Sequence, residues 1–137
     1  VVTTDAPSSL AGLRILVVDD TDELAEILTF VLERAGSTVT RAADGLTAVE
    51  HALADDFDVI IMDVGLPGID GLEACRRITS QREATVVMLS AREAAADRTA
   101  GTEAGAVGYL AKPFTPRKLV ADLSALLEEH RRGAGGD

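Results

Sequence analysis

The sequence predicts an α/β fold, a mostly parallel five-stranded sheet with helices packed on both sides. Three observations predict it. Short β-rich runs recur five times, as RILVVD, STVTRA, FDVIIMD, TVVMLS and VGYLAK. Several of these are apolar without alternation, the pattern of strands buried on both faces. Between them lie segments whose apolar residues recur at helical spacing, so the order is β-α five times.

Each element has its own warrant. RILVVD opens the sheet and ends in acid. Leu24, Ile27, Leu28, Val31 and Leu32 give the first helix its apolar face, with Gly36 as a fitting stop. Thr21 or Asp22 can cap its start. STVTRA is the second strand. After the turn at Asp44-Gly45, Leu46, Val49 and Leu53 form the inward stripe of a second helix. FDVIIMD is the third strand, again ending in acid. Residues 71 to about 82 read as the third helix, with Leu72, Cys75 and Ile78 inward. TVVMLS is the fourth strand and ends in a hydroxyl. AREAAADRTAGTEAG is Ala-rich and helical, with a thin apolar face. VGYLAK is the fifth strand. Pro116 opens the last helix, which turns Leu119, Val120, Leu123, Leu126 and Leu127 to one side. Residues 1–11 read as a disordered tail, 12–131 as one domain, and 132–137 as a tail or the start of a linker.

Composition excludes several functions. Aromatics are 3% and Trp is absent, so the core is aliphatic and base or sugar stacking is disfavoured. Thirteen basic against 23 acidic residues leave a net charge of −10, which argues against direct contact with a nucleic-acid backbone. The single Cys, Cys75, permits no internal disulfide and no Cys-rich metal site. A reducing cytoplasm is the expected compartment. No apolar run approaches the roughly 20 residues needed to span a bilayer, and no secretory signal is evident. The first residue is Val, which implies a chain processed, trimmed or cut from something longer.

In such sheets the ligand site lies outside the carboxyl ends of the strands, where strand order reverses. Those ends carry Asp19 and Asp20 (first strand), Asp63 (third), Ser90 (fourth) and Lys112 (fifth). Two carboxylates 4 Å apart repel by about 4 kcal/mol at an effective dielectric near 20. A hard divalent cation relieves that repulsion, and oxygen ligands suit Mg²⁺. Lys112 can then face a phosphate as a point charge, and Ser90 can donate to a phosphate oxygen. The chemistry so assembled is phosphoryl transfer. Asp63 is the natural attacking carboxylate, because it follows the apolar VIIM and precedes the turn GLPGIDG.

ILVVDD, VIIMD followed by GLPGIDG, VVMLSA and GYLAKPF stand in this order at workable spacing. Together they resemble the receiver domain of two-component response regulators, the CheY-like family. The resemblance implies a flavodoxin-like (βα)5 three-layer sandwich with strand order 2-1-3-4-5. It implies that Asp63 accepts a phosphoryl group from the phosphohistidine of a sensor histidine kinase or phosphotransfer protein, as a self-phosphorylating switch with intrinsic autodephosphorylation rather than a turnover enzyme. Asp20, Asp63 and the Gly65 backbone carbonyl would bind Mg²⁺ directly, and Asp19 mainly through water. Ser90 and Lys112 would contact the phosphoryl oxygens, with a cis Lys112–Pro113 bond. Ser90 and Tyr109 would act as the switch pair, and a downstream effector or output domain would engage the fourth helix, fifth strand and fifth helix. Neither a nucleic acid nor a membrane is an expected direct partner.

The sequence also departs from the family's pattern. Gly65 and Arg92 occupy the positions two past Asp63 and two past Ser90, which the family ties to water's access to the acyl phosphate. GAVGY stands where relatives that pair as transcription factors often read GADDY, and Asp122 where they often carry a basic residue.

Taken singly, each residue has an ordinary reading. Asp19 and Asp20 can cap a helix, Asp63 can begin a turn, Ser90 can cap the next helix, and Tyr109 can be a rim aromatic. Two enzymes or carriers share parts of the pattern. A flavodoxin needs a phosphate loop after the first strand, where DDTDE would repel it. A haloacid-dehalogenase-like phosphatase expects D-x-D, where this chain has Asp63-Val64-Gly65. A non-phosphorylated protein-interaction module is the third alternative.

Overall fold

A computed structural model describes residues 10–91 and 95–135, with side chains over 10–90 and 99–132. The elements are β1 (Arg14–Val18), α1 (Asp22–Arg34), β2 (Thr38–Ala42), α2 (Gly45–Ala54), β3 (Val59–Asp63), α3 (Gly71–Thr79), β4 (Val86–Ala91), α4 (Ala95–Glu103), β5 (Gly108–Lys112) and α5 (Pro116–Gly135). All strand pairs are parallel, and the sheet order is β2-β1-β3-β4-β5. This is the flavodoxin-like order, with its reversal between β1 and β3.

Side chains alternate across each strand and divide the core into two layers. Ile15, Val17 and Ile61 pack with Leu28 and Leu32 of α1 and Leu119 and Leu123 of α5. Leu16, Val18, Met62 and Met88 pack with Ala48 and Ala52 of α2, Ala74, Cys75 and Ile78 of α3, and Ala104 after α4. Full burial of each large aliphatic side chain contributes about 1.5–3 kcal/mol.

Four expectations need correction. The inward stripe of α2 is Gly45, Ala48 and Ala52, while Leu46 and Leu53 are 54% and 39% exposed. The reason is close packing: a Cβ on Gly45 would come within 2.7 Å of Ile69. Only small residues fit that face, and the leucines turn outward. On α1, Ile27 is likewise exposed, and Ala25 joins the buried stripe. Leu10, placed in the tail by composition, is fully buried in the α1–α5 layer, and its carbonyl accepts from Ser37 Oγ at 2.6 Å. The rest of that tail, residues 1–9, lies outside the described residues. At the other end α5 continues through Gly135, past the boundary expected at 131. No described helix is long and apolar enough to cross a membrane.

Two of the turns around the third unit are set by acids. Asp44 caps α2 by accepting from Thr47 N at 2.8 Å, and Asp70 caps α3 by accepting from Glu73 N at 2.9 Å. Cys75 is fully buried, its Sγ donates to the Ala104 carbonyl, and burial raises its pKa to about 11. The folded chain should therefore resist iodoacetamide at neutral pH and react once denatured; alkylation of native protein would contradict this burial. The α3 start is tighter still, since a Cβ on Gly71 would overlap the Asp63 carbonyl oxygen and sit 3.0 Å from Val64 Cα. Overpacking of this kind costs about 3 kcal/mol against the roughly 1 kcal/mol that Ala gains over Gly in a helix. Gly71→Ala should lower stability to denaturant by about 2 kcal/mol. Gly65→Ala, with nothing within 4 Å of its Cβ, should leave stability unchanged.

Candidate functional site

The loop after β1 carries the first two acids of the site. Asp19 is completely buried, and its backbone is held on both sides by β2. Its N–H donates to the Ala42 carbonyl at 3.1 Å, and its carbonyl accepts from Arg41 Nη2 at 2.8 Å and Nε at 3.3 Å. Its Oδ1 accepts from Thr21 N at 2.8 Å. Thr21 stands at the α1 N-cap, yet its own side chain makes no capping bond. Asp20 is exposed.

Asp63 ends β3 and is 7% exposed. Its backbone is wedged against Gly71, and its Oδ1 accepts weakly from Gly65 N at 3.3 Å. Lys112, at the end of β5, brings its Nζ to 3.3 Å from the same Oδ1. The Lys112–Pro113 peptide is cis. Ser90 is 4% exposed near the end of β4, one residue past Leu89, the register partner of Asp63. Tyr109 pairs in register with Met88 and is half-buried. By alternation Ser90 and Tyr109 share the face against which α4 packs. Arg92 lies outside the described residues.

The sheet thus brings Asp19, Asp20, Asp63 and Lys112 to one rim, with Ser90 beside them. Asp19, Asp20 and Asp63 can each offer an oxygen so that all three lie within 4.8 Å of one another. At that distance each pair of ionised carboxylates repels by about 3.5 kcal/mol at an effective dielectric near 20. Burial first, with Asp63 and Asp20 adding to it, pushes the Asp19 carboxyl above the usual range, against the Thr21 hydrogen bond and Lys112, which lower it. Among the described residues, Asp19 Oδ2 is the buried side-chain oxygen with no hydrogen-bond partner. An orphaned, fully buried carboxylate oxygen among two other acids fits a hard divalent cation.

Arg41 and Gly71 were not singled out by sequence reading. An Arg near the end of an edge strand carries no local signal of what it will reach. Gly71 is visible only as the last Gly of GLPGIDG, where a turn accounts for it equally well.

Comparison with known proteins agrees with this geometry. Residues 15–124 match the family described as response regulator receiver domain. The transcriptional regulatory protein CseB of Streptomyces coelicolor is 43% identical over 90% of this chain and 53% of its own length. The chain spans about half the length of the curated relatives it matches. Among solved structures, the chemotaxis response regulator CheY4 of Vibrio cholerae superposes with a TM-score of 0.78 at 34% identity, covering 85% of this chain and 99% of that one. The receiver domain of the sensor histidine kinase PA1611 from Pseudomonas aeruginosa, solved with a magnesium ion coordinated in its active-site cleft, superposes with a TM-score of 0.77 at 35% identity, covering 86% and 99%. These matches do not favour the haloacid-dehalogenase-like phosphatase or a non-phosphorylated module. A reversed parallel sheet, acids gathered at its carboxyl rim with a lysine facing them, and a family match over most of the length lead to one assignment: the chain belongs to the response regulator receiver domains, signalling switches of two-component systems.

Proposed function

We propose that Asp63 is the phosphoacceptor of this receiver domain and that Asp19, Asp20, Asp63 and the Gly65 carbonyl hold Mg²⁺ for the transfer. The observation that carries this reading is the pairing at Asp63, a buried carboxylate with Lys112 Nζ 3.3 Å away, beside the orphaned Oδ2 of Asp19. When bound, Mg²⁺ supplies positive charge against the phosphoryl oxygens. Asp20 and Asp63 would hold it directly and Asp19 through water.

An Asp63 oxygen attacks phosphorus of a phosphohistidine, forming a P–O bond. The P–N bond breaks, and its electron pair returns to the imidazole nitrogen. Lys112 follows the charge from the Asp63 carboxylate onto a phosphoryl oxygen, and the Ser90 hydroxyl donates to another. Water later cleaves the acyl phosphate, which returns the switch to rest. Open space around Gly65 supports access for that water.

Ser90 moving toward the phosphoryl group would vacate volume on the face it shares with Tyr109. The aromatic ring and α4 shift in response, and the α4–β5–α5 surface presents a new shape to an effector or output domain. The phosphodonor is a sensor histidine kinase or phosphotransfer protein, acting in the cytoplasm. The receiver unit, expected over 12–131 with Leu10 added to its core, is one part of a response regulator.

Two experiments test this reading. Acetyl phosphate with Mg²⁺ should add one phosphoryl mass to the chain, and Asp63→Asn should abolish that addition. Labelling that persists in Asp63→Asn would show a different acceptor. The second concerns Asp19. Its raised pKa means that the fold favours the protonated form. That stabilising contribution is present below the ordinary Asp range and lost as pH rises through the raised value. In metal-free protein at neutral pH, Asp19→Asn should therefore melt above wild type, with the gap closing in acid. Added Mg²⁺ should raise the Tm of wild type more than that of the variant. A metal-free variant that melts below wild type at neutral pH would contradict the strain assigned to Asp19.

A further inference from the structure

We infer that Arg41 is a positioning residue for the metal site: it clamps the β1–α1 loop from β2 and so sets the affinity of the acidic cluster for Mg²⁺. The inference rests on the reading of Asp19, Asp20 and Asp63 as that site. Arg41 touches none of the proposed ligand atoms. Its guanidinium spans the loop instead, with Nη2 and Nε on the Asp19 carbonyl and Nη1 on Asp22 Oδ1 at 2.7 Å. The two anchor points flank Asp20 and Thr21, the residues that turn the chain from strand into helix.

The clamp matters because the loop opposes its own charge. Asp19, Asp20, Asp22 and Glu23 lie within five residues, and Asp63 faces them. Without restraint, repulsion would spread the loop and separate the carboxylates. Hydrogen bonds to the Ala42 carbonyl and from Arg41 and Thr21 satisfy every polar atom of Asp19 except Oδ2. Arg41 thereby holds the residue whose buried oxygen lacks a partner and would serve the metal. The Asp22 contact alone would do little, since Asp22 is 82% exposed and such pairs are weak. The carbonyl contacts carry the restraint. They need a planar fork that sets two fixed donors on one oxygen, which Arg has and Lys lacks. Partners of metal ligands of this kind typically change metal affinity about tenfold or more when removed.

Arg82 supplies the control. It too bridges backbone and acid, reaching the carbonyls of Ala52 and Asp55 and Asp56 Oδ1, but at the amino-terminal end of β3, the opposite end of the sheet. The experiment is a calorimetric Mg²⁺ titration of wild type, Arg41→Met, Arg41→Lys and Arg82→Met. The Kd should rise about tenfold in Arg41→Met, rise less in Arg41→Lys, and stay at the wild-type value in Arg82→Met even though that variant melts lower. At saturating Mg²⁺, acetyl phosphate should label Arg41→Met at the wild-type rate, since no reacting group is lost. An unchanged Kd in Arg41→Met would overturn the inference, as would an equal rise in Arg82→Met. Should Arg41→Met fail to fold, a wild-type Kd in Arg41→Lys would overturn it equally. Wild type that binds no Mg²⁺ would overturn the metal reading itself. Amide exchange at Thr21 would still decide the clamp: faster exchange in metal-free Arg41→Met supports it, and unchanged exchange overturns it.

Discussion

Three carboxylates that repel one another are held within 4.8 Å on the rim of a parallel sheet, and the surrounding structure is arranged to keep them there. A chain left to its own electrostatics would open this cluster. Covalent connection alone does not prevent that, because each acid sits where a strand gives way to a loop. The restraint comes from backbone contacts made by neighbouring strands and helices. Ala42 and Arg41 hold Asp19 from the edge strand, and Gly71 lets α3 start directly against the Asp63 carbonyl. Lys112 approaches from β5 and offsets part of the charge. The cost of gathering like charges is thus spread over hydrogen bonds and close packing throughout the rim.

The two core layers beneath this rim are built from different side chains. On the α1–α5 face, long aliphatic side chains from both helices interlock with β1, β3 and β4. On the other face small residues dominate: Ala48, Ala52, Ala74 and Ala104 accompany Cys75. Small residues let α2 approach closely. Ser90 and Tyr109 lie on this second face.

The site separates charge from exposure in a way that serves transfer chemistry. Asp63 is sheltered, so its contact with Lys112 acts in a medium less polar than water. Asp20 reaches solvent, which leaves a path for a cation and its waters. Asp19 is buried with one oxygen lacking a partner, a costly state in isolation.

Much of this was legible in the order of residues. Five β-rich runs alternating with helical periodicity specify a parallel sheet, because strand and helix periods differ and strands buried on both faces lose their alternation. Asp19, Asp20, Asp63, Ser90 and Lys112 could be located as well, since each lies at or near the carboxyl end of its strand and a parallel sheet places all such ends on one rim. Packing settled what periodicity could not. Leu46 and Leu53 satisfy a helical stripe, yet α2 buries Gly45, Ala48 and Ala52 instead, because the distance to Ile69 excludes larger side chains. Leu10 looks like tail and belongs to the core. Arg41 looks like any arginine on an edge strand, and its role depends on a carbonyl 22 residues away in the chain. Local pattern reports which face and which end a residue occupies; it does not report how closely two elements approach or which backbone atom a long side chain meets, and those are set only when the layers come together.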